Sequence, residues 1–221
     1  MKNLLLLCAG SHGLNALEIL RGQPAVHLLG CLDDRHPHIM EPPSLGPLSL
    51  MAAMLQQAQA AYVGLGNILY LKERRKIFLE AQRLDYEMID AIHSQAYRSP
   101  TSICGNGLFM GPFSVIHARA QVGHNVCIYS GSVVEHDCHL SNHVFLGPGV
   151  HMGGWTCVDE GAYISLGARV ASGVRVGAHS LVAAGAVVLH DVAPDTLVRG
   201  VPARPCGSVS EWVARKKLEE T

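Results

Sequence analysis

Residues 116–151 read IHARAQ VGHNVC IYSGSV VEHDCH LSNHVF LGPGVH, and each of these hexapeptides begins with an aliphatic residue. The pattern extends beyond this stretch, because every sixth residue from Cys104 to Val188 is apolar. A small or β-branched residue follows four positions after each member from Ile116 to Val182. This period is typical of a parallel β-helix, in which three hexads form one coil and equivalent positions of successive coils stack about 4.8 Å from each other.

Glycine also recurs at the second position of the hexad. The members are Gly111, Gly123, Gly147, Gly153 and Gly177. We expect them to permit the sharp corners of the coil, because glycine adopts backbone angles that other residues avoid. An antiparallel barrel or sandwich would instead show a period of two with irregularly spaced turns, and the sequence does not favour it.

The residues before about position 97 have a different pattern, in which short apolar runs alternate with helical segments. This alternation predicts a parallel sheet with helical crossovers. The individual predictions are strands at 3–9, 26–32 and 62–65, helices at 14–20, 48–61 and 70–84, and a proline-rich loop at 35–47. For the whole chain, we predict a small Rossmann-like α/β domain over 1–96, a β-helix over 97–203, and a tail over 204–221 whose helix covers the end of the coils.

The composition restricts the possible functions. The chain has 221 residues, 48% of them hydrophobic, and a formal net charge of −1 from 17 basic and 18 acidic residues. This balance gives no field that would recruit nucleic acid or an anionic membrane, and no apolar stretch approaches the roughly 20 residues that cross a bilayer. The seven cysteines are odd in number and contain no Cys-x-x-Cys pair, so we expect a reduced, cytoplasmic protein.

The turn over residues 8–13 resembles the dinucleotide-binding fingerprint, with a cysteine at the first glycine position. Gly10 would let a phosphate approach the backbone, the following helix would offer free N–H groups, and His12 would add a donor. Asp33 and Asp34 follow the next strand, where carboxylates can bind a ribose or a base. Fewer than 100 residues precede the β-helix, so the domain fits one nucleotide, such as that of a nucleotide sugar. A turn with a purely structural role is the alternative.

Within the β-helix, His136 is expected on the outer face between two carboxylates, Glu135 and Asp137. An imidazole that a carboxylate orients can act as a general base towards an amine or a hydroxyl. Gly154 comes one full coil of three hexads later and should lie directly above His136, where its N–H could polarise a thioester carbonyl. A solvated surface histidine is the alternative. Cys138 occupies a small interior position of its hexad, so we interpret it as a packing residue.

The high number of histidines, 13, raises the possibility of a metal site. His136, His139 and His143 lie close together in the sequence. However, β-helix enzymes that share a three-histidine zinc site between subunits have two of those histidines five residues apart, and no two histidines here have that spacing. No metal is therefore expected.

Taken together, six short motifs resemble the nucleotide-sugar acetyltransferases of the bacillosamine, perosamine and sialic-acid type. The resemblance covers nearly the whole chain, and the combination is more specific than any single motif. The motifs are Cys8-Ala-Gly-Ser-His-Gly13, Leu32-Asp-Asp34, Val63-Gly-Leu-Gly-Asn67, Ile92-His93, Val134-Glu-His-Asp137 and Gly200-Val-Pro-Ala-Arg204.

The resemblance implies a left-handed β-helix that forms a homotrimer, with acetyl-CoA as co-substrate bound between adjacent subunits and a nucleotide amino sugar held by the N-terminal domain. His136 would be the catalytic base, Asp137 would orient it, and Gly154 would bind the thioester oxygen. The residues implied along the coenzyme are Gly154, Ala184, Gly185, Pro202, Ala203 and Arg204. The residues implied for the nucleotide sugar are Gly10, Ser11, His12, Asp33, Asp34, Gly66 and Asn67.

One position departs from the family pattern. Many members have a second histidine nine residues after the catalytic one, and here that position is Phe145. The leading hypothesis is direct N-acetylation of a UDP- or GDP-linked 4-amino sugar with His136 as general base. Two alternatives remain, namely O-acetylation of a sialic-acid-like sugar and an inactive solenoid that only binds a nucleotide sugar. The nucleotide and the acetylated carbon are not defined by the sequence.

Overall fold

The computed structural model describes residues 1–35 and 43–219 and divides into two compact units, Met1–Ile92 and His93–Thr221. This division lies slightly before the boundary at 96 that the sequence pattern suggests. The reason is that the hydrogen-bond ladder of the coils begins early, since the His93 N–H already donates to the Met110 carbonyl at 2.9 Å. Among the described residues, no helix is long and apolar enough to span a membrane.

The first unit is a parallel sheet whose strands alternate with helices. Its central strand is fully buried from Leu4 to Leu7. The strands lie in the order β3-β2-β1-β4-β5, with every pair parallel. In chain order the elements are β1 (Lys2–Leu7), α1 (Ser11–Arg21), β2 (Val26–Leu32), β3 (Ser44–Gly46), a 3-10 turn (Leu48–Leu50), α2 (Met51–Met54), β4 (Ala60–Val63), a second 3-10 turn (Ile68–Tyr70), α3 (Leu71–Arg83), β5 (Glu87–Met88) and β6 (Ala91–Ile92).

Two predictions in this unit are corrected. The segment 35–47 is not entirely a loop, because Ser44–Gly46 forms β3 at the edge of the sheet; residues 36–42 lie outside the described part. The helix predicted over 48–61 ends at Met54, and Ala60 already belongs to β4. Ala60 and Ala61 are fully buried between neighbouring strands, so tertiary packing overrides the helical preference of an alanine-rich segment.

The second unit is built from two-residue strands that recur at every hexad. These strands are β7 (Tyr97–Arg98), β8 (Ile103–Cys104), β9 (Phe109–Met110), β10 (Val115–Ile116), β11 (Gln121–Val122), β12 (Cys127–Ile128), β13 (Val133–Val134), β14 (His139–Leu140), β15 (Phe145–Leu146), β16 (His151–Met152), β17 (Cys157–Val158), β18 (Tyr163–Ile164), β19 (Arg169–Val170), β20 (Arg175–Val176), β21 (Leu181–Val182) and β22 (Val187–Val188). Strands three apart share a sheet, which gives one sheet from β7 to β22, a second from β8 to β20, and a third that contains β9 to β21.

The stacking rule predicted from the hexad is confirmed. Val115 pairs with Val133, and Val133 pairs with His151, so parallel neighbours are separated by one coil of three hexads. Every member of the aliphatic series from Met110 to Val188 is buried, as is every small or β-branched residue four positions later. The carboxyl-terminal half is therefore a parallel β-helix whose interior is filled by these aliphatic, small and β-branched side chains.

The corners form differently from the expectation. The left-handed backbone conformation falls at the fourth position of every hexad from Gly107 to Gly185, whether or not that residue is glycine. Gly123, at a second position, is not among these residues. A Cβ there would lie only 2.7 Å from the backbone nitrogen of Asn142 in the next coil. Second-position glycine thus permits close approach between coils, and the fourth position makes the turn.

The end of the β-helix is covered by a strand. β23 (Thr196–Arg199) continues the third sheet and pairs antiparallel with β24 (Arg204–Ser208). The helix α4 (Val209–Glu219) follows and buries none of its described side chains. The tail over 204–221 therefore begins with a strand. It is β24, and not the helix, that satisfies the backbone groups of the last strand.

Candidate active site

His136 and Asp137 form a hydrogen-bonded pair at a corner of the β-helix. The two residues lie between β13 of the first sheet and β14 of the second. The His136 Nδ1 is 2.8 Å from the Asp137 Oδ2, and 40% of the His136 side chain is exposed. Because an ionised carboxylate only accepts, this contact favours the tautomer with hydrogen on Nδ1 and leaves Nε2 with a lone pair.

Asp137 is also held by an arginine from the coil below. The Arg119 Nε donates to Oδ1 at 2.7 Å, and its Nη2 donates to Oδ2 at 2.6 Å. The hydrogen bond from Arg119, followed by that from His136, lowers the pKa of Asp137 to about 2. The carboxylate is therefore ionised at neutral pH. Sequence reasoning missed Arg119, although it comes one full coil before Asp137 and the stacking rule places it directly below.

Gly154 lies over the imidazole, as the spacing of one coil predicted. A Cβ at Gly154 would be 2.7 Å from the His136 Cε1 and 2.9 Å from its Nε2. Any larger residue would displace the ring. The Trp155 ring packs edge-on against His136 with centroids 4.5 Å apart at 89°. Trp155 was also missed, and it comes one full coil after Asp137.

The other carboxylate beside the histidine has a different partner. Glu135 lies 3.8 Å from the Nε2 of His117, one coil below. Cys138 is 1% exposed, and its Sγ donates to the Gly153 carbonyl at 3.2 Å. Burial raises the pKa of this thiol to about 11. Cys138 is thus a protonated packing residue, as its place in the hexad suggested.

In the first unit, a tight turn over residues 8–10 joins β1 to α1. Cys8, at the first glycine position of the fingerprint, adopts a left-handed φ of 71°. A Cβ at Gly13 would lie 2.7 Å from the Cys8 carbonyl oxygen, so this glycine permits close packing of α1 on the strand. Gly10 precedes α1 in an extended conformation, and Ser11 is exposed at the first helical position.

The His12 side chain is not at the surface of this turn. It is 3% exposed, and its Nε2 is 3.1 Å from the Tyr62 hydroxyl. Burial, and secondarily the charge of Arg74, lowers the pKa of His12 well below its ordinary value. The ring is therefore neutral and buried, which is a different environment from the phosphate donor that the sequence suggested.

The two aspartates after β2 differ in their surroundings. Asp33 is buried, and its oxygens accept from the Ala9 N–H and the Arg35 N–H, each at 2.7 Å. It therefore ties the end of β2 to the turn after β1. Asp34 is exposed and accepts from the Leu48 N–H at 2.9 Å. Of the two, Asp34 presents its carboxylate to solvent.

The loop after β4 is held by a buried arginine that the sequence did not reveal. Arg74 of α3 is 2% exposed and donates to the carbonyls of Val63 and Leu65 at 2.6 and 2.7 Å. Nothing in the run Lys72–Lys76 distinguishes this arginine from its charged neighbours. Gly66 packs closely on His12, with a hypothetical Cβ 2.5 Å from the His12 Cβ. Asn67 is exposed and accepts from the Leu69 N–H at 2.8 Å.

The residues implied along the coenzyme form two separate groups within one chain. Ala184 and Gly185 are exposed at a corner between the third and first sheets. The turn Gly200–Arg204 lies against the same corner, since the Ala203 N–H donates to the Val187 carbonyl at 2.8 Å. Gly154 is at the corner between the first and second sheets. A single chain therefore does not bring both groups together.

Phe145, the position that departs from the family pattern, belongs to an aromatic ladder. It is 3% exposed and stacks on Tyr163 with centroids 4.8 Å apart at 11°. Tyr129 lies on its other side at 5.1 Å. No group of three His, Cys, Asp or Glu residues suited to a metal occurs in residues 1–35 and 43–219.

Comparisons with known proteins show similarity to acetyltransferases. No family model matches the chain. The structure is similar to a histidine-to-asparagine mutant of perosamine N-acetyltransferase from Caulobacter crescentus in complex with CoA and GDP-perosamine. The TM-score is 0.88, with 28% identity over 94% of this chain and 98% of that chain. It is also similar to the acetyltransferase domain of PglB from Neisseria gonorrhoeae in complex with acetyl coenzyme A, with a TM-score of 0.86 and 28% identity over 93% of this chain and 99% of that chain.

A further similarity covers part of the chain. Serine acetyltransferase of Bacillus licheniformis is 34% identical over 99 residues, which are 40% of this chain and 46% of that protein. The chain thus spans less than half the length of two of its curated relatives, both of which are serine acetyltransferases.

The chain has the fold of a β-helix acetyltransferase. Within that class, the similarity to perosamine N-acetyltransferase and to the PglB acetyltransferase domain extends over both units. It confirms the resemblance to the nucleotide-sugar acetyltransferases that the sequence motifs indicated.

Proposed function

We propose that this protein transfers the acetyl group of acetyl-CoA to the amino group of a UDP- or GDP-linked 4-amino sugar. The observation that carries the proposal is the outward His136, hydrogen-bonded to Asp137 and covered by the backbone of Gly154. The bound ligands of the two similar structures, CoA with GDP-perosamine and acetyl coenzyme A, support the same pair of substrates.

His136 is the general base of the proposed reaction. With Nδ1 donating to Asp137, the Nε2 lone pair accepts a proton from the sugar amine as the amine nitrogen attacks the thioester carbonyl carbon. The C–N bond forms, the C–S bond breaks, and CoA leaves as the thiolate. The thiolate takes the proton from the His136 imidazolium, which gives the free thiol and returns the base to its neutral form. Cys138 is buried and protonated, so the acetyl group passes directly to the amine without an acyl-enzyme.

The Gly154 N–H is the proposed donor to the developing oxyanion. A glycine is required above the imidazole because any side chain would meet the ring at less than 3.0 Å. One well-aimed backbone donor contributes on the order of a hundredfold in rate. Positioning both substrates beside the same base adds several kcal/mol through proximity.

The coenzyme is proposed to lie between adjacent subunits of a left-handed β-helix homotrimer. The support is that Gly154 and the Ala184–Gly185 corner belong to different corners of one chain. Only a second chain can present its corner to the first. Pro202, Ala203 and Arg204, next to the Ala184–Gly185 corner, would then extend the coenzyme site.

The nucleotide sugar is proposed to bind the first unit, at the turn over residues 8–13. Gly10, Ser11 and Asn67 are accessible there, and Asp34 offers an exposed carboxylate. Asp33 and His12 support the turn from inside, and Gly66 allows its close packing.

An assay of acetyl-CoA turnover with a panel of nucleotide sugars tests the proposal. UDP-, GDP- and CMP-linked 4-amino sugars, and the corresponding 4-hydroxy sugars, are each incubated with enzyme while thiol release and product mass are followed. We expect thiol release coupled to an N-acetylated product with at least one amino sugar. Transfer only to hydroxy sugars would replace N-acetylation by O-acetylation, and no turnover with any member would favour a nucleotide-sugar-binding solenoid.

A further inference from the structure

We propose that Arg119 is a positioning residue for the transfer reaction, which acts through Asp137 to fix the tautomer and orientation of the His136 imidazole. This inference rests on the proposed role of His136 as general base. It adds a third member, from the coil below, to the pair that the sequence motif contains.

The contacts form a continuous chain of charge-assisted hydrogen bonds. Arg119 engages both oxygens of Asp137, at 2.7 and 2.6 Å, and the Asp137 Oδ2 also contacts the His136 Nδ1 at 2.8 Å. A two-point contact from a planar guanidinium fixes the plane of the carboxylate. Because the carboxylate cannot rotate, its Oδ2 stays directed at Nδ1, and the Nε2 lone pair stays directed outward.

The backbone holds this chain in place. Arg119 and Asp137 are both fourth-position residues with left-handed φ values of 59°. The Arg119 N–H donates to the Thr101 Oγ1 at 3.2 Å, and the Asp137 N–H donates to the Ala118 carbonyl at 3.1 Å. The Trp155 N–H donates to the His136 carbonyl at 3.1 Å. Each coil thus fixes the corner of the next.

Arg119 also changes the charge that faces the imidazole. The described groups around His136 are the Asp137 carboxylate, the edge of Trp155 and the backbone of Gly154, while Glu135 faces His117. With Arg119 in place, the carboxylate is paired with a cation. Without it, the carboxylate would lose the two donors that hold it towards Nδ1.

The chain contains a matched pair that serves as a control. Arg175 donates to Asp159 with the same two-point geometry, at 2.9 and 2.6 Å. The side chains are 60% and 21% exposed, compared with 65% and 20% for Arg119 and Asp137. Asp159 follows β17 at a different corner from His136. R175Q therefore removes an ion pair of similar exposure but leaves the contacts of His136 intact.

The experiment compares R119Q, R119K and R175Q with the wild type by two readouts. ¹⁵N NMR of labelled histidine, assigned with H136Q, reports the His136 tautomer, and kcat reports the working state of the base. For R119Q we expect a loss of the predominant Nδ1–H tautomer and about tenfold lower kcat.

R119K retains the positive charge but lacks the planar two-point donor of arginine, so its tautomer should remain mixed. R175Q should match the wild type in both readouts. A wild-type tautomer in R119Q would overturn the proposal. If R119Q failed to fold, an R119K tautomer identical to wild type would do the same. If the wild type turned over no sugar, the proposed function would fail, but the tautomer comparison would still decide the role of Arg119.

Discussion

Two histidines of this chain lie in opposite environments, and their chemistry follows from the difference. His136 exposes 40% of its side chain at a corner and pairs with an ionised carboxylate. His12 is 3% exposed and contacts Tyr62 within the first unit. The first is accessible from solvent, whereas the second is held neutral by burial.

The neutral His12 makes the stability of the protein depend on pH. Because burial lowers the pKa of His12 in the folded state below its ordinary value of 6.5, only the unfolded state binds a proton as the pH falls through 6.5. Above that pH both states are neutral and no effect is expected. Between pH 7.5 and 5.0, the free energy of unfolding should fall by up to about 2 kcal/mol from this residue.

Urea unfolding at several pH values checks this prediction. His12→Gln should lose less stability between pH 7.5 and 5.0 than the wild type, even if it is less stable throughout. Equal slopes for wild type and His12→Gln would show that His12 is protonated in the folded state.

Some contacts of single residues could be predicted from the sequence, and others could not. The stacking rule placed Gly154 over His136, and a step of one coil forward or back from Asp137 would have found Trp155 and Arg119. The burial of His12 had no such signal. Its partner Tyr62 is 50 residues away, and their meeting depends on the packing of the first unit.

At the scale of elements, the two-residue strand is the repeating unit that supplies side chains to the core of the β-helix. In β14, Leu140 is fully buried in the interior, and its neighbour His139 points outward and is exposed. Each strand therefore places one apolar side chain in the core and leaves the adjacent position free to vary.

This alternation predicts unequal effects within one strand. Leu140→Ala should reduce the free energy of unfolding by about 2–5 kcal/mol, because it leaves a cavity between stacked coils. His139→Ala should change it by about 0.5 kcal/mol or less. Chemical denaturation of the two variants measures both values. A larger loss in His139→Ala than in Leu140→Ala would contradict the assignment of the interior face.

The sequence predicted elements with strict periods better than those without. The hexad gave the strands and the interior of the β-helix, because each position repeats under the same constraint. The helix predicted over 48–61 was wrong because the composition of Ala60 and Ala61 suits a helix, while their burial between two strands decides the outcome. The sequence prediction placed the corner conformation at the second position of the hexad, whereas it occurs at the fourth. Glycine at the second position instead permits close contact between coils.

At the scale of the whole molecule, the two units are proposed to divide the substrates between them. The turn after β1 and the exposed Asp34 would hold the nucleotide, and the corners of the β-helix would hold the coenzyme. In the proposed homotrimer, a complete coenzyme site forms only where the Ala184–Gly185 corner of one chain meets Gly154 of another.

The proposed division predicts selective loss of binding in Asp34→Ala. We expect about tenfold weaker binding of the nucleotide sugar, because one charged hydrogen-bond acceptor is removed. Acetyl-CoA binding should remain unchanged. Calorimetric titration with each substrate measures the two effects, and Glu18→Ala, on an exposed face of α1, serves as the matched control. Equal weakening of both substrates would argue against separate binding units.

The most direct test of the whole account is the turnover number of His136→Gln with its best nucleotide amino sugar. The substitution removes the base at an exposed position, so the fold and the binding of acetyl-CoA should be retained while kcat falls at least about a hundredfold. His151→Gln, at another exposed position of the β-helix, should keep wild-type turnover. If His136→Gln kept a kcat close to that of the wild type, the imidazole at this corner would not be the base.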